Sequence, residues 1–419
     1  MSGFLGLDVQ YSGTVPALLE GGRPLPVGDG LRVRIPHAYG EGVGWGSAAA
    51  RRFLASGRAT ADRLLEWRRD PWDAGFLTGL RDRVARYLGL PEGAGPAPGY
   101  RVVLCAGPGT PADAEEYVEE AGLGGALRVG PAEALLCRRL ASPGQPLPTG
   151  ALLAVVVGER WSVLAPFRVM RSDGGSVVLT RTGPDTVLAQ GGGEWTELLA
   201  GRVLARCRED APAADLLALA DGVQECAARL ARADAVEWQG AYAERLFAPL
   251  VVRGAELAAD PAVADGLRLL GQSARAAVPG PSSVVLGGPG AVWPAIRSVL
   301  ADPAAGGSVW CGPDPATDLA AGAAWWPLLR SCFAPVPSAG YAVDAVGAVP
   351  AVPAVPAQPD RGPDAESSAP SSPSAPSAPS SPSSPSSPST GRSGSGPGPF
   401  SPGSRRSDPL EVLPPWMRP

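Results

Sequence analysis

The order of hydrophobic runs predicts a mixed α/β fold built twice, as two lobes with duplicated mixed sheets and a crevice between them. Three observations carry this. Apolar segments of strand length open each half as a meander. Each meander is followed by alternating helical and strand patterns. The same order then recurs later in the 419 residues. With 45% apolar and 18% charged residues, the chain has ample material for a core.

In the first half, Phe4-Leu5-Gly6-Leu7-Asp8 reads as a short buried strand ending in an acid. Thr14 to Glu20, the Gly21-Gly22 turn and Pro24 to Val27 form a hairpin pattern. Leu31 to Pro36 adds a strand in which Val33 and Ile35 alternate with Arg32 and Arg34. Ser47 to Asp70 has helical spacing, and Pro71-Trp72-Asp73 opens a second helix toward Gly89. Tyr100 to Cys105 is a strand and Pro111 to Gly122 a helix whose first turn carries Asp113, Glu115 and Glu116. Val129 marks a short strand and Ala132 to Leu140 a helix.

The second half begins with three apolar runs, Ala151 to Val157, Trp161 to Phe167 and Ser176 to Arg181. Helical spacing dominates from Glu194 to Ala277. Val284-Val285-Leu286 reads as a buried strand, followed by Gly287-Gly288 and a helix from Ala291 to Leu300. Val309-Trp310 is a short strand and Thr317 to Arg330 the last helix. The expected organisation is lobe I over 1–142, lobe II over 143–335 and a tail over 336–419. Ser367 to Ser404 is nearly all Ser, Pro, Ala and Gly. It has too little apolar surface to offset an ordering entropy of roughly 1–2 kcal/mol per residue, which predicts disorder. The closing Pro409 to Met417 run is apolar again and leaves two readings open, a docking peptide or a frayed end.

Composition excludes several chemistries. The chain has no lysine, so all 36 basic residues are arginine. A phosphate loop ending in Gly-Lys-Ser/Thr is therefore impossible, and so is a Schiff-base lysine. His37 is the only histidine, which removes His-based metal clusters; it reads as a loop or strand-end residue. Net charge is -5, which lacks the footprint of a nucleic-acid binder. Cys105, Cys137, Cys207, Cys226, Cys311 and Cys332 stand singly, which predicts buried free thiols in a reducing, cytoplasmic compartment. Met1-Ser2-Gly3-Phe4 lacks a basic region and a long apolar run, so neither a signal peptide nor a membrane span is expected.

Several segments carry a resemblance. Gly6-Leu7-Asp8-Val9-Gln10-Tyr11-Ser12-Gly13 follows the first strand. Gly191-Gly192-Gly193-Glu194-Trp195 precedes a helix. Ser283 to Pro289 is followed by Pro294-Ala295-Ile296, and Asp314-Pro315-Ala316-Thr317-Asp318-Leu319-Ala320-Ala321-Gly322-Ala323-Ala324 by the end of the folded region. Together they resemble the actin-like (ribonuclease H-like) ATPase domain of DnaK-type heat-shock chaperones over about residues 3 to 330. Gly44-Trp45-Gly46-Ser47-Ala48-Ala49 and Gly122 to Leu135 add weaker matches. A Ser/Pro-rich tail stands where the family has its peptide-clamping sandwich and helical lid, so neither is expected in these residues.

The resemblance implies a fold, ligands and a site. ATP or ADP would be held between two hairpins, with magnesium bound through water at Asp8, the one matched catalytic position. Gln10, Tyr11 and Ser12 would line the first hairpin and Gly158 the second. Gly191, Gly192 and Gly193 would approach the phosphates. Gly287, Gly288 and Pro289 would lie under the adenosine, and Arg229 is the candidate to stack on adenine.

The chain departs from the pattern at the catalytic groups. The first hairpin lacks the family's Gly and paired Thr. Val155 replaces the second carboxylate, and Gly130 replaces the water-positioning Glu. Glu159 would repel a triphosphate, with Arg160 the candidate to offset it. The resulting expectation is a degenerate, chaperone-like nucleotide-binding regulator with little hydrolysis, working through a protein partner. Two alternatives stand beside it: a divergent active ATPase, and a structural adaptor that binds no nucleotide.

Overall fold

The computed structural model describes residues 3–20, 23–26, 34–40, 44–55, 70–90, 100–144, 146–172, 175–208, 215–278, 282–301 and 308–334. All of them belong to one compact unit. The tail expected from residue 336, the helix continuation over 56–69 and the strand start over 31–33 lie outside the described residues.

The first sheet grows from the N-terminal hairpin. Strands β1 (Gly3–Val9) and β2 (Gly13–Glu20) pair antiparallel, and β3 (Arg23–Pro26) and β4 (Ile35–Pro36) both pair antiparallel to β2. A two-stranded ribbon, β5 (Tyr39–Gly40) and β6 (Gly44–Trp45), leads into α1 (Gly46–Ala55). Helix α2 spans Ala74–Tyr87; Asp73 caps it by accepting from the Gly75 and Phe76 amides. Its start is therefore three residues later than the Pro71 that the sequence suggested. Strand β7 (Tyr100–Cys105) lies parallel to β1, and after α3 (Ala114–Glu120), β8 (Ala126–Val129) lies parallel to β7. Helix α4 (Pro131–Ala141) closes this half with Pro131 in its first turn.

The second sheet repeats the plan. Strands β9 (Gly150–Val157), β10 (Ser162–Arg171) and β11 (Val177–Arg181) form the antiparallel part, with β12 (Thr186–Leu188) also on β10. Helices α5 (Gly193–Leu204) and α6 (Leu216–Leu230) follow. A hairpin of β13 (Ala235–Glu237) and β14 (Val251–Arg253) comes next, then α7 (Gly254–Ala258) and α8 (Pro261–Ala277). Helices do dominate from 194 to 277, as expected, and this hairpin is the element the sequence did not indicate. Strand β15 (Ser283–Gly287) lies parallel to β9. The helix expected from Ala291 is a 3-10 turn, Pro289–Val292, followed by α9 (Pro294–Leu300). Strand β16 (Val309–Cys311) lies parallel to β15, and α10 (Asp318–Leu329) is the last α-helix among the described residues.

The two sheets therefore run β3-β2-β1-β7-β8 and β11-β10-β9-β15-β16, position for position the same mixed order. Helices α4 and α10 pack on one another between them. Helix α10 covers β1, β2 and β7 of the first sheet, and α4 covers β9, β10 and β15 of the second. Each helix thus sits on the sheet built by the other half. Burial on two sides explains why Leu319 through Trp325 are all buried, with no polar stripe along α10. One core cluster spans both sheets and both helices, from Val103 and Leu135 to Val156, Val285 and Ala323.

No helix among the described residues is long and apolar enough to cross a membrane. Of the six free cysteines, Cys105, Cys137 and Cys226 are buried, whereas Cys207, Cys311 and Cys332 are only partly so.

Candidate functional site

The C-terminal ends of β1, β9 and β15 bring most of the singled-out residues together. Asp8 stands near the end of β1, in register with Val15 on β2 and Cys105 on β7. It is 1% exposed. Gln10 Nε2 donates to its Oδ1 at 2.7 Å, while Oδ2 is buried with no hydrogen-bond partner. Burial raises the Asp8 carboxyl to about 6; the Gln10 hydrogen bond and the charge of Arg34 oppose the shift. The turn after β1 is tight, with the Gln10 amide donating to the Gly13 carbonyl.

The second turn, Gly158 to Trp161, joins β9 to β10. It meets the first turn directly. Gln10 Oε1 accepts from the Glu159 amide at 3.2 Å. The Ser12 amide donates to Glu159 Oε2 at 2.6 Å and the Ser12 hydroxyl to Oε1 at 2.5 Å. Arg34 forms an ion pair with the same Oε1 and donates to Ser12 Oγ at 3.3 Å. Arg160 lies over the Tyr11 ring, 4.5 Å from its centroid, and pairs with Glu197 at 2.8 Å. Arg34, rather than the expected Arg160, thus neutralises Glu159. Burial pulls the Arg34 guanidinium down from its ordinary value, and the Asp8 and Asp314 carboxylates oppose that.

The glycine run closes on the same turn. The Gly192 amide donates to the Gly158 carbonyl and the Gly193 amide to the Glu159 carbonyl, both at 2.8 Å. Ser162 Oγ donates to the Gln190 carbonyl at 2.7 Å, pinning the run to β10. A Cβ on Gly191 would meet the Glu159 carbonyl at 2.5 Å, and one on Gly192 would overlap Gly290. These glycines are needed for packing of backbone on backbone. Gly288 has φ +94°, donates to the Pro315 carbonyl at 3.1 Å, and has the Val157 carbonyl where a Cβ would stand. Gly287 packs on Leu135 of α4, and Pro289 is buried at the start of the 3-10 turn.

No protein-family model and no curated protein matches this chain.

Arg229 is not in this cluster. It sits in the last turn of α6 and donates to Gln239 Oε1 at 3.1 Å, beyond β13. His37 follows β4 as expected for a strand-end residue. It is fully buried, with Nε2 2.9 Å from Thr14 Oγ1 and its ring edge-on to Phe76. Trp161 stands between Gly107 and Gly158, with ring atoms 2.5 and 2.8 Å from where their Cβ atoms would be. It therefore fills the space between the loop after β7 and the second turn.

As they stand, these residues do not fit a triphosphate with magnesium. The Ser12 donors and Arg34 are spent on Glu159, and the Gly192 and Gly193 amides on the second turn. Asp8 retains an unsatisfied oxygen, but it is buried rather than open to a hydrated ion. Of two cavities among the described residues, the larger lies away from this cluster and the smaller borders it at Gly191 and Ser162. One of about 380 Å³ is lined by Arg208, Trp238 and Phe247 among others, and one of about 20 Å³ lies between Val157, Trp195 and Leu270.

Sequence reasoning missed Arg34 and Trp161. The available signal was Glu159 itself, an acid directly after the apolar Val155-Val156-Val157-Gly158 run. A carboxylate carried to the end of a buried strand needs a cation or several donors.

Proposed function

We propose that the chain is a degenerate, two-lobed, actin-like nucleotide-binding domain of the DnaK-chaperone type, with lobe I over 1–142 and lobe II over 143–335. It acts as a cytoplasmic regulator through a protein partner rather than by ATP turnover. It binds ATP or ADP weakly or not at all. The repeated sheet order and the α4–α10 pair between the sheets support the fold. The meeting of Asp8, Gly158, Gly191 to Gly193 and Gly287 to Pro289 around three strand ends supports the position of the crevice.

One observation carries the loss of activity. The Glu159 carboxylate takes the Ser12 amide, the Ser12 hydroxyl and Arg34, the donors that a phosphate would need there. Phosphoryl transfer depends on positioning and electrostatic stabilisation, so an anion fixed at that point opposes both. Free thiols support a reducing compartment.

Calorimetric titration with ATP and magnesium, followed by a steady-state hydrolysis assay with Asp8→Ala as control, tests this. The expected result is little or no binding heat and no turnover above background. Turnover that disappears in the Asp8→Ala chain would overturn it in favour of a divergent ATPase. The closed glycine amides favour a second reading, an adaptor that binds no nucleotide, which any saturable binding heat excludes.

A further inference from the structure

Three donors converge on the Glu159 side chain. The Ser12 amide and hydroxyl reach its two oxygens at 2.6 and 2.5 Å, and the Arg34 guanidinium pairs with the second. Glu159 is 7% exposed, so these bonds are shielded from water. Charge-assisted bonds of this kind are the strong ones in proteins. The Glu159 backbone is held separately, its amide by Gln10 Oε1 and its carbonyl by the Gly193 amide. Its side chain can therefore leave without moving the turn. Arg34 also bonds Ser12 Oγ, so the donors hold one another in place.

We propose that Ser12 and Arg34 form an oxyanion site, and that Glu159 is its internal ligand, occupying it in the native chain. Removing the Glu159 carboxylate frees a site for one phosphate group. The phosphate class rests on the reading of the crevice given above; the donors themselves rest on geometry alone.

The test is calorimetric titration of inorganic phosphate into the full chain, Glu159→Ala, Glu159→Gln and the double variant Glu159→Ala/Arg34→Ala. Folded Glu159→Ala should bind phosphate at least about tenfold more tightly than the native chain, as expected for one freed charge-assisted donor set. The gain should shrink in Glu159→Gln, whose amide oxygen still occupies Ser12, and vanish in the double variant. If Glu159→Ala does not fold alone, phosphate present during refolding should recover it. A folded Glu159→Ala with native-like phosphate affinity, or refolding that phosphate does not recover, overturns the proposal. So does rescue by acetate but not by phosphate, since the site then takes only carboxylates. ATP titrated into the same proteins separates the two readings. Phosphate binding to Glu159→Ala without ATP binding to any chain supports the internal ligand and removes the nucleotide function. ATP binding by the native chain with no phosphate gain in the variant does the reverse.

Discussion

Gln10 Nε2 donates to one oxygen of Asp8 and leaves the other buried and bare. Burial outweighs that bond and the field of Arg34, so the Asp8 carboxyl titrates at about 6 against 3.8 ordinarily. A folded-state value above the unfolded one means that the folded chain holds its proton more tightly. Stability from this group is complete below about pH 4 and is lost as pH rises through 6. The shift corresponds to about 3 kcal/mol at 1.36 kcal/mol per unit. Asp8→Asn should therefore be the more stable chain at pH 8 and lose that advantage at pH 4. Urea unfolding at the two pH values checks it, and an unchanged difference would refute the assignment.

Gly322 crosses Ala134 where α10 meets α4, and a Cβ there would overlap the Ala134 carbonyl. Gly6 of β1 stands in the same relation to Ala320. Neither neighbour is a flexible side chain, so the two helices must separate to admit even a methyl group. Gly322→Ala should cost about 2–4 kcal/mol, at or above the usual range for an overpacked core. Gly201, on the exposed face of α5 with open space around it, should tolerate Ala without loss. Thermal unfolding of the two variants gives the comparison.

Arg138 of α4 reaches across to Asp318 in the first turn of α10, Nε to Oδ1 at 3.1 Å. Asp318 is fully buried and its second oxygen has no partner. Burial raises it to about 6, against the pull of Arg138. Arg138→Ala strands that carboxylate and should cost about 3 kcal/mol at pH 8, more than Asp318→Asn does. The gap should close by pH 5, where Asp318 is protonated in the native chain and in Arg138→Ala alike. A gap that persists at pH 5 would assign the loss to packing of the arginine stem.

Trp161 separates Gly107 from Gly158. Trp161→Ala should destabilise by about 2–3 kcal/mol, below the range for a fully buried aromatic because the ring is only partly covered. Amide hydrogen exchange in the two segments it touches should speed up first, around Ala106 to Thr110 and Gly158 to Ser162. Exchange that speeds up evenly across both sheets would mean that Trp161 is not a local wedge.

The strands were the legible part. Phe4 to Asp8, Tyr100 to Cys105 and Ala151 to Val157 are short apolar runs bounded by turn residues, and each became a strand within a residue or two of its expected ends. The Ala-rich closing run was legible as a helix, and its glycine proves to be a crossing point. The β13–β14 hairpin was hidden because its strands are three residues each, too short for a period to register. The Glu159–Arg34 pair was hidden for another reason. Arg34 alternates with Val33 and Ile35 as a solvated strand residue would, and its partner lies in the other half of the chain. Only the tertiary approach of two turns reveals the pairing.

The exchange of α4 and α10 also sets an order of events during synthesis. Strands β1, β2 and β7 leave the ribosome early, while the helix that covers them is the last α-helix among the described residues. Their apolar face must wait, uncovered, until almost everything else has been made. Such a chain gains little from folding piecemeal as it emerges and depends on one late, long-range closure. A nascent chain stalled just before Asp318 should accordingly be digested by protease across β1 to β7, and one extended past Leu329 should resist.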